Sequence, residues 1–227
     1  MAQVDRAVLL AAGLGTRLKW LTSGVPKALM DVAGETAVVR VIRRLAAQGV
    51  HDIVINSHHH AEKLIETLGD GSHFGVRLYF SREPELLDSG GGVRRAMELL
   101  PGSGLLAVHN ADVIADIDLQ ELAGLVTPSG GALALVTNPH HHPKGDFSVA
   151  NGRVIGLTEK SFTYSGVSVW DENLLSEYQN GDAFSLTLPM KSLISQEKLS
   201  ALIHQGAWFD IGRPRDLMQA RLAVSRN

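Results

Sequence analysis

Residues 7–11 form an unbroken apolar run that ends abruptly at Gly13, and this run constrains the fold more than any other feature of the chain. It lacks the alternation of a strand with one wet face, so both of its faces must be covered. Such a strand belongs inside a parallel sheet flanked by helices. The following residues repeat the same logic. Residues 36–48 place Val38, Val41, Ile42 and Leu45 at helical spacing, with Gly49 positioned to stop the helix. Residues 52–56, 76–81, 105–109 and 132–137 read as strands, and 61–68, 92–100 and 118–126 as helices. This alternation predicts an α/β fold built on a doubly wound, mostly parallel sheet.

The pattern changes after residue 137. Asn151-Gly152 stands between two β-rich runs, a strong hairpin signal. Residues 164–170 read as a strand, short helices follow near Leu174 and over 188–195, and Pro214 suits the first turn of a last helix. The 227 residues carry 21 basic and 24 acidic side chains, a net charge of −3, so electrostatics give no case for nucleic acid or an anionic membrane as partner. No cysteine is present, which excludes a disulfide framework and thiolate chemistry. No apolar run is long enough for a membrane span, and residues 1–6 lack a signal-peptide layout, so a cytoplasmic protein is expected.

The stretch "LLAAGLGTRLKWLTSGVPKAL", residues 9–29, follows the first strand. It has no Gly-Lys-Ser/Thr, which a P-loop requires, and Leu18 stands where a dinucleotide fingerprint needs its third glycine. Gly13 and Gly15 could still let backbone N–H groups approach a polyphosphate, with Arg17 and Lys27 supplying positive charge. The plainer alternative, a structural turn with solvated Arg and Lys, stays open on spacing alone.

The same stretch resembles the G-x-G-T/S-R…P-K signature of sugar-1-phosphate nucleotidyltransferases. "LLDSGGGV", "VHNAD", "GDFSV", "TEK", "TYSGV" and "WFDIGRP" follow in that family's order. The short length, "NPHHHPKGDF" and the triple glycine look most like the family's bacterial N-acetylmuramate-1-phosphate uridylyltransferases. Mannose-1-phosphate guanylyltransferases and glucose-1-phosphate nucleotidyltransferases are the alternatives within the family. The resemblance implies a Rossmann-like mixed sheet with a small β-rich sugar-binding insertion. It further implies a single domain over 1–227, with nucleotide binding in about 1–137 and sugar-phosphate binding in about 138–227. The substrates expected are a nucleoside triphosphate, UTP favoured, and a sugar 1-phosphate. The assembly expected is a monomer or weak homodimer.

Residue by residue, the resemblance assigns Arg17, Lys27 and Lys160 as catalytic cations. It assigns nucleotide binding to Ala11, Ala12, Gly13, Gly15, Thr16, Arg17, Lys27, Asn56, Asp88, Gly90 and Gly91. Asn110, Asn138, Gly145, Asp146, Glu159, Lys160, Ser165 and Gly166 are expected on the sugar side. Asp112 and Asp210 are expected to hold Mg²⁺, an ion that keeps part of its shell for phosphate oxygens. Ala111 stands where the family usually has Gly, and Asp88-Ser89 where it often has Glu-Thr or Gln-Thr/Ala. The triplets His58–His60 and His140–His142 read as surface or rim residues, because consecutive side chains diverge and cannot close a tetrahedral site. Trp208 reads as core packing, and Lys144 or Arg153 are the cations considered for a sugar carboxylate. A non-catalytic sugar-nucleotide-binding regulator is the rival of another class. A dehydrogenase would rest on Gly13-x-Gly15 alone.

Overall fold

The computed structural model describes residues 3–13, 26–58 and 61–225. The strands are β1 (Arg6–Leu10), β2 (Asp31–Val32), β3 (Glu35–Thr36), β4 (Asp52–Ser57), β5 (Arg77–Arg82), β6 (Leu105–Asn110) and β7 (Val113–Ala115). They continue with β8 (Gly131–Val136), β9 (Ser148–Ala150), β10 (Arg153–Ile155), β11 (Thr163–Asp171), β12 (Leu199–Ile203) and β13 (Trp208–Asp210). The helices are α1 (Ala37–Ala47), α2 (Ala61–Leu68), α3 (Asp88–Met97), α4 (Leu119–Gly124), α5 (Glu172–Ser176), α6 (Thr187–Ser195) and α7 (Pro214–Val224).

Strand β1 pairs in parallel with β4 on one side and β6 on the other, which explains why its sequence has no polar face. The sheet among the described residues runs β5-β4-β1-β6-β11-β8-β12-β10-β9. Only β11 and β10 run against their neighbours. On one face, Val38, Val41, Ile42 and Leu45 of α1 pack with Leu9, Ile53 and Ile55. On the other, Val93 and Ala96 of α3 and Met190 and Leu193 of α6 pack with Val8, Val54 and Val108. The sheet is thus covered on both sides, as the alternating pattern predicts. No helix among the described residues is long and apolar enough to cross a membrane.

Several elements differ from the expectation. Helix α3 starts at Asp88, so Gly90, Gly91 and Gly92 lie inside it and not ahead of it. Strand β12 has no counterpart in the sequence reading; it pairs in parallel with β8, deep in the sheet. The longest strand of the later half, β11, lies between β6 and β8 at the centre of the sheet. Asn151 and Gly152 both have positive φ, 50° and 73°, as the turn joining β9 to β10 requires. Pro214 occupies the first turn of α7, as expected.

His109 is buried on β6, and its Nδ1 donates to the Asn110 carbonyl at 2.8 Å. Burial pushes its pKa from near 6.5 down to about 4, so the folded protein holds a neutral imidazole at neutral pH. Between those values the unfolded chain binds a proton that the folded chain does not. The stability from this group is therefore complete above pH 6.5 and is lost as pH falls toward 4. At pH 5 the loss should be about 2 kcal/mol relative to pH 7.5. Urea unfolding at the two pH values measures it. His109→Gln should flatten that slope; equal slopes in both proteins would refute the assignment.

Candidate active site

The chain leaves β1 toward α1 and β4 on one side, then returns through α3 to β6 on the other. This reversal of strand order opens a crevice beyond the C-terminal ends of the strands. Ala11, Ala12 and Gly13 follow β1 there, Asn56 lies at the end of β4, and Asn110 and Asp112 lie at and beyond the end of β6. All of these but Ala11 line a cavity of about 470 Å³, together with Glu83, Asp88 and Ser89. Gly15, Thr16 and Arg17 lie outside the described residues.

Asp112 and Asp210 are far apart in sequence, and a short antiparallel ribbon unites them. Strand β13 pairs with β7 so that Asp210 faces Val113, and the Ile211 N–H donates to the Asp112 carbonyl at 3.0 Å. The Lys27 ammonium reaches both carboxylates. It is paired with Asp112 Oδ2 and lies 3.5 Å from Asp210 Oδ1. Lys27 is presented by a turn of 3₁₀ helix, residues Lys27–Leu29, whose Ala28 and Leu29 are buried beneath it. Its side chain is 13% exposed, so the attraction is screened less than on the open surface. Two converging carboxylates repel each other, and this position is suited to positive charge. An all-oxygen pair that leaves coordination positions free fits Mg²⁺ chemistry.

The Asn56 side chain is spent on the backbone of the glycine turn. Its Oδ1 accepts from Ala11 N–H at 2.6 Å and Ala12 N–H at 3.3 Å, while its Nδ2 donates to Glu83 Oε1 at 2.7 Å. Sequence reasoning missed Glu83, a lone acid before a proline. The triple glycine is explained by close packing within the chain. A Cβ on Gly90 would stand 2.3 Å from the Phe184 ring, and one on Gly91 2.2 Å from the Asp182 carbonyl. Both of their N–H groups donate to the Phe184 carbonyl. Residues 182–184 make a close approach of their own to Gly90 and Gly91. Asp88, at φ 59°, remains on the cavity wall.

Two further cavities meet the first at Asn110. One, of about 260 Å³, is polar and bordered by Asp146, Ser165, Trp208, Asp210 and Arg213. The other, of about 390 Å³, lies between Ser89, Tyr164, Met190 and Lys191 and also reaches Asp146. Asp146 Oδ1 pairs with His142 Nε2 at 2.9 Å, and its Oδ2 accepts from Tyr164 N–H at 2.8 Å. Gly166, at φ 86°, lies at a register shift in β11, where a Cβ would stand 2.6 Å from Asn110 Nδ2. The Tyr164 hydroxyl bonds Ser168 Oγ at 2.9 Å, and burial holds its pKa above the ordinary phenol value. Trp208 packs against the core and donates to the Ser165 carbonyl while bordering the polar cavity.

Other expected sugar-side residues stand apart from these cavities. Asn138 braces the chain around it, donating to Pro143 and Ser161 and accepting from Thr163; a Cβ on Gly145 would meet its Oδ1 at 2.6 Å. Glu159 and Lys160 are exposed after β10 and border none of the three cavities. Arg153 donates to Ser200 Oγ on β12 at 2.7 Å. His58 bonds the Glu83 carbonyl, His141 and His142 border the polar cavity, and His59 and His60 lie outside the described residues. Arg213 borders the polar cavity and Lys191 the one of about 390 Å³; neither is among the residues that the sequence marks.

The nucleotidyl transferase family model matches residues 6–227. The chain is 34% identical to N-acetylmuramate alpha-1-phosphate uridylyltransferase of Neisseria meningitidis serogroup B, over 95% of this chain and 96% of that one. It is 29% identical to the probable mannose-1-phosphate guanylyltransferase 2 of Arabidopsis thaliana, spanning 62% of that longer protein. Among solved structures, a putative glucose-1-phosphate thymidylyltransferase from Bacillus anthracis superimposes with a TM-score of 0.84 at 19% identity, covering 98% of this chain and 95% of that one. HddC from Yersinia pseudotuberculosis, complexed with GMP-PN, superimposes with a TM-score of 0.81 at 23% identity, covering 97% and 100%. These structures share the fold, and the family match over residues 6–227, with the 34% identity over 95% of the chain, places the protein in the sugar-1-phosphate nucleotidyltransferase family.

Proposed function

We propose that this chain joins UTP and N-acetylmuramate 1-phosphate into UDP-N-acetylmuramate and pyrophosphate. The observation that carries the transfer reaction is the Lys27–Asp112–Asp210 cluster at the junction of the cavities. The larger cavity takes the nucleotide, and the cavities beyond Asn110 take the sugar 1-phosphate. A phosphate oxygen of the sugar 1-phosphate attacks the α-phosphorus. The bond from that phosphorus to the oxygen bridging it to the β-phosphorus breaks, and pyrophosphate leaves with the electron pair. A phosphate monoester is already anionic near neutral pH, so no base is required. The protein's share is alignment and charge neutralisation. Lys27 serves the α-phosphate region, and Arg17 is assigned to the triphosphate. Asp112 and Asp210 would hold Mg²⁺, which supplies Lewis-acid polarisation of phosphate oxygens.

The preference for UTP and a muramate rests on the Neisseria relative, which is 34% identical and matches over 95% of this chain and 96% of its own. The lactyl carboxylate of a muramate needs a cation. Arg153 is engaged on β12, whereas Arg213 borders the polar cavity and has no ion-pair partner among the described residues. We assign Arg213 to that carboxylate.

Lys27→Ala and Asp112→Asn should each lower pyrophosphate release about 100-fold or more, with Mg²⁺ present and the fold retained. Release at the wild-type rate in either folded variant would refute the assigned roles. Chelation by EDTA should abolish turnover, and added Mg²⁺ should restore it. Tight UTP binding with no pyrophosphate release in the wild type would favour a regulator. Arg213→Ala should reduce kcat/KM for N-acetylmuramate 1-phosphate about 10- to 100-fold, leaving N-acetylglucosamine 1-phosphate within about twofold. Equal losses on both sugars would move Arg213 from the carboxylate to the shared phosphate.

A further inference from the structure

Glu83 is buried, only 3% exposed, and no cation is paired with it among the described residues. Every bond it makes goes to an amide or an imidazole. Its main chain is tied to the end of β4, with N–H donating to the Ser57 carbonyl at 2.8 Å and the carbonyl facing His58 Nδ1 at 2.7 Å. Its side chain ties together two segments that border the larger cavity, the end of β4 and the start of α3. Oε1 accepts from Asn56 Nδ2 at 2.7 Å, and Oε2 accepts from Leu87 N–H at 3.3 Å. Helix α3 is cut away to admit this arrangement, since a Cβ on Gly92 would stand 2.6 Å from Asn56 Nδ2 and 2.7 Å from Glu83 Oε1.

An asparagine amide has two nearly isosteric orientations, and its partners decide between them. A carboxylate oxygen only accepts, so Glu83 forces the Asn56 NH₂ toward itself and the Asn56 Oδ1 toward Ala11 and Ala12. Those two N–H groups hold the start of the glycine turn. On the other segment, the same carboxylate anchors the backbone at Leu87, immediately before Asp88 and Ser89. We propose that Glu83 is a positioning residue for the nucleotide: its carboxylate sets the Asn56 amide that holds Ala11 and Ala12, and joins it to the backbone at the start of α3. This rests on the assignment of the larger cavity to the nucleotide.

The chemistry explains why an acid stands here and not an amide. Both bonds need an acceptor, and glutamine offers one acceptor and one donor. In Glu83→Gln the new NH₂ must face either the Leu87 N–H or the Asn56 NH₂, so one of the two segments is released. Steady-state kinetics with UTP and N-acetylmuramate 1-phosphate, together with calorimetric titration of UTP alone, tests the proposal. Glu83→Gln should raise the KM and Kd for UTP about tenfold, with the KM for the sugar phosphate and the kcat at saturating UTP within about twofold. Gly92→Ala disturbs the same pair without changing its charge and should give the same split. A purely structural role would lower the Tm and leave the UTP constants unchanged, or would move both substrates' constants together; either result overturns the proposal. Wild-type protein that binds neither UTP nor GTP would overturn the cavity assignment and this inference together. Binding by the wild type with unchanged UTP constants in both folded variants would overturn this inference alone.

Discussion

The parallel pairing of β1 between β4 and β6 determines where everything else can go. A strand bonded on both sides and covered on both faces has nowhere to meet solvent except at its ends. The winding of the chain reverses after β5, where it crosses from the outer edge back past β1 to β6, and the loops after these strands face one crevice. The first two residues that leave β1 are fixed to the neighbouring strand, because the Ala11 and Ala12 N–H groups donate to Asn56 Oδ1. Around the space beyond, Asn56 and Asn110 stand on strand ends, and Asp88 and Ser89 on the first turn of α3.

Electrostatics complete what the sheet begins. Setting Asp112 near Asp210 costs free energy unless a cation stands between them. The ribbon of β7 and β13 sets their spacing through main-chain bonds, so the carboxylates do not have to attract each other to stay together. Lys27 reaches them from a turn whose Ala28 and Leu29 are anchored in the core. The cluster sets one positive group against two negative ones and so leaves one negative charge uncompensated. A further positive charge is accommodated there at little cost, which is the condition a divalent ion and a phosphate require.

Local periodicity made much of this fold legible. The run at 7–11 and the helix over 36–48 agree with the structure to within a residue or two at each end, because their burial pattern lies in contiguous residues. Strand β12 was not legible: its five residues are parted from α6 by Gln196, Glu197 and Lys198 alone, and its partner β8 is remote in sequence. The approach of Asp112 to Asp210 was likewise invisible to spacing and came from the family resemblance alone. Lys160 shows the opposite limit, since the motif that selected it says nothing about the exposed bend on which it stands.

The glycine triplet shows why residue type alone underdetermines a site. Three adjacent glycines announce that something approaches the backbone closely, but the sequence does not say what. In α3 the approaching groups are Phe184 and Asp182 at Gly90 and Gly91, and the Asn56–Glu83 pair at Gly92. The first two contacts fasten residues 182–184 against the helix, and the third makes room for a buried polar bridge. Buried polar bridges are costly when half satisfied and specifying when complete. Here both side-chain oxygens of Glu83 and both polar atoms of Asn56 have partners. The absence of a side chain at Gly92 is thus a requirement of the bridge, and the bridge in turn sets the backbone at the mouth of the crevice.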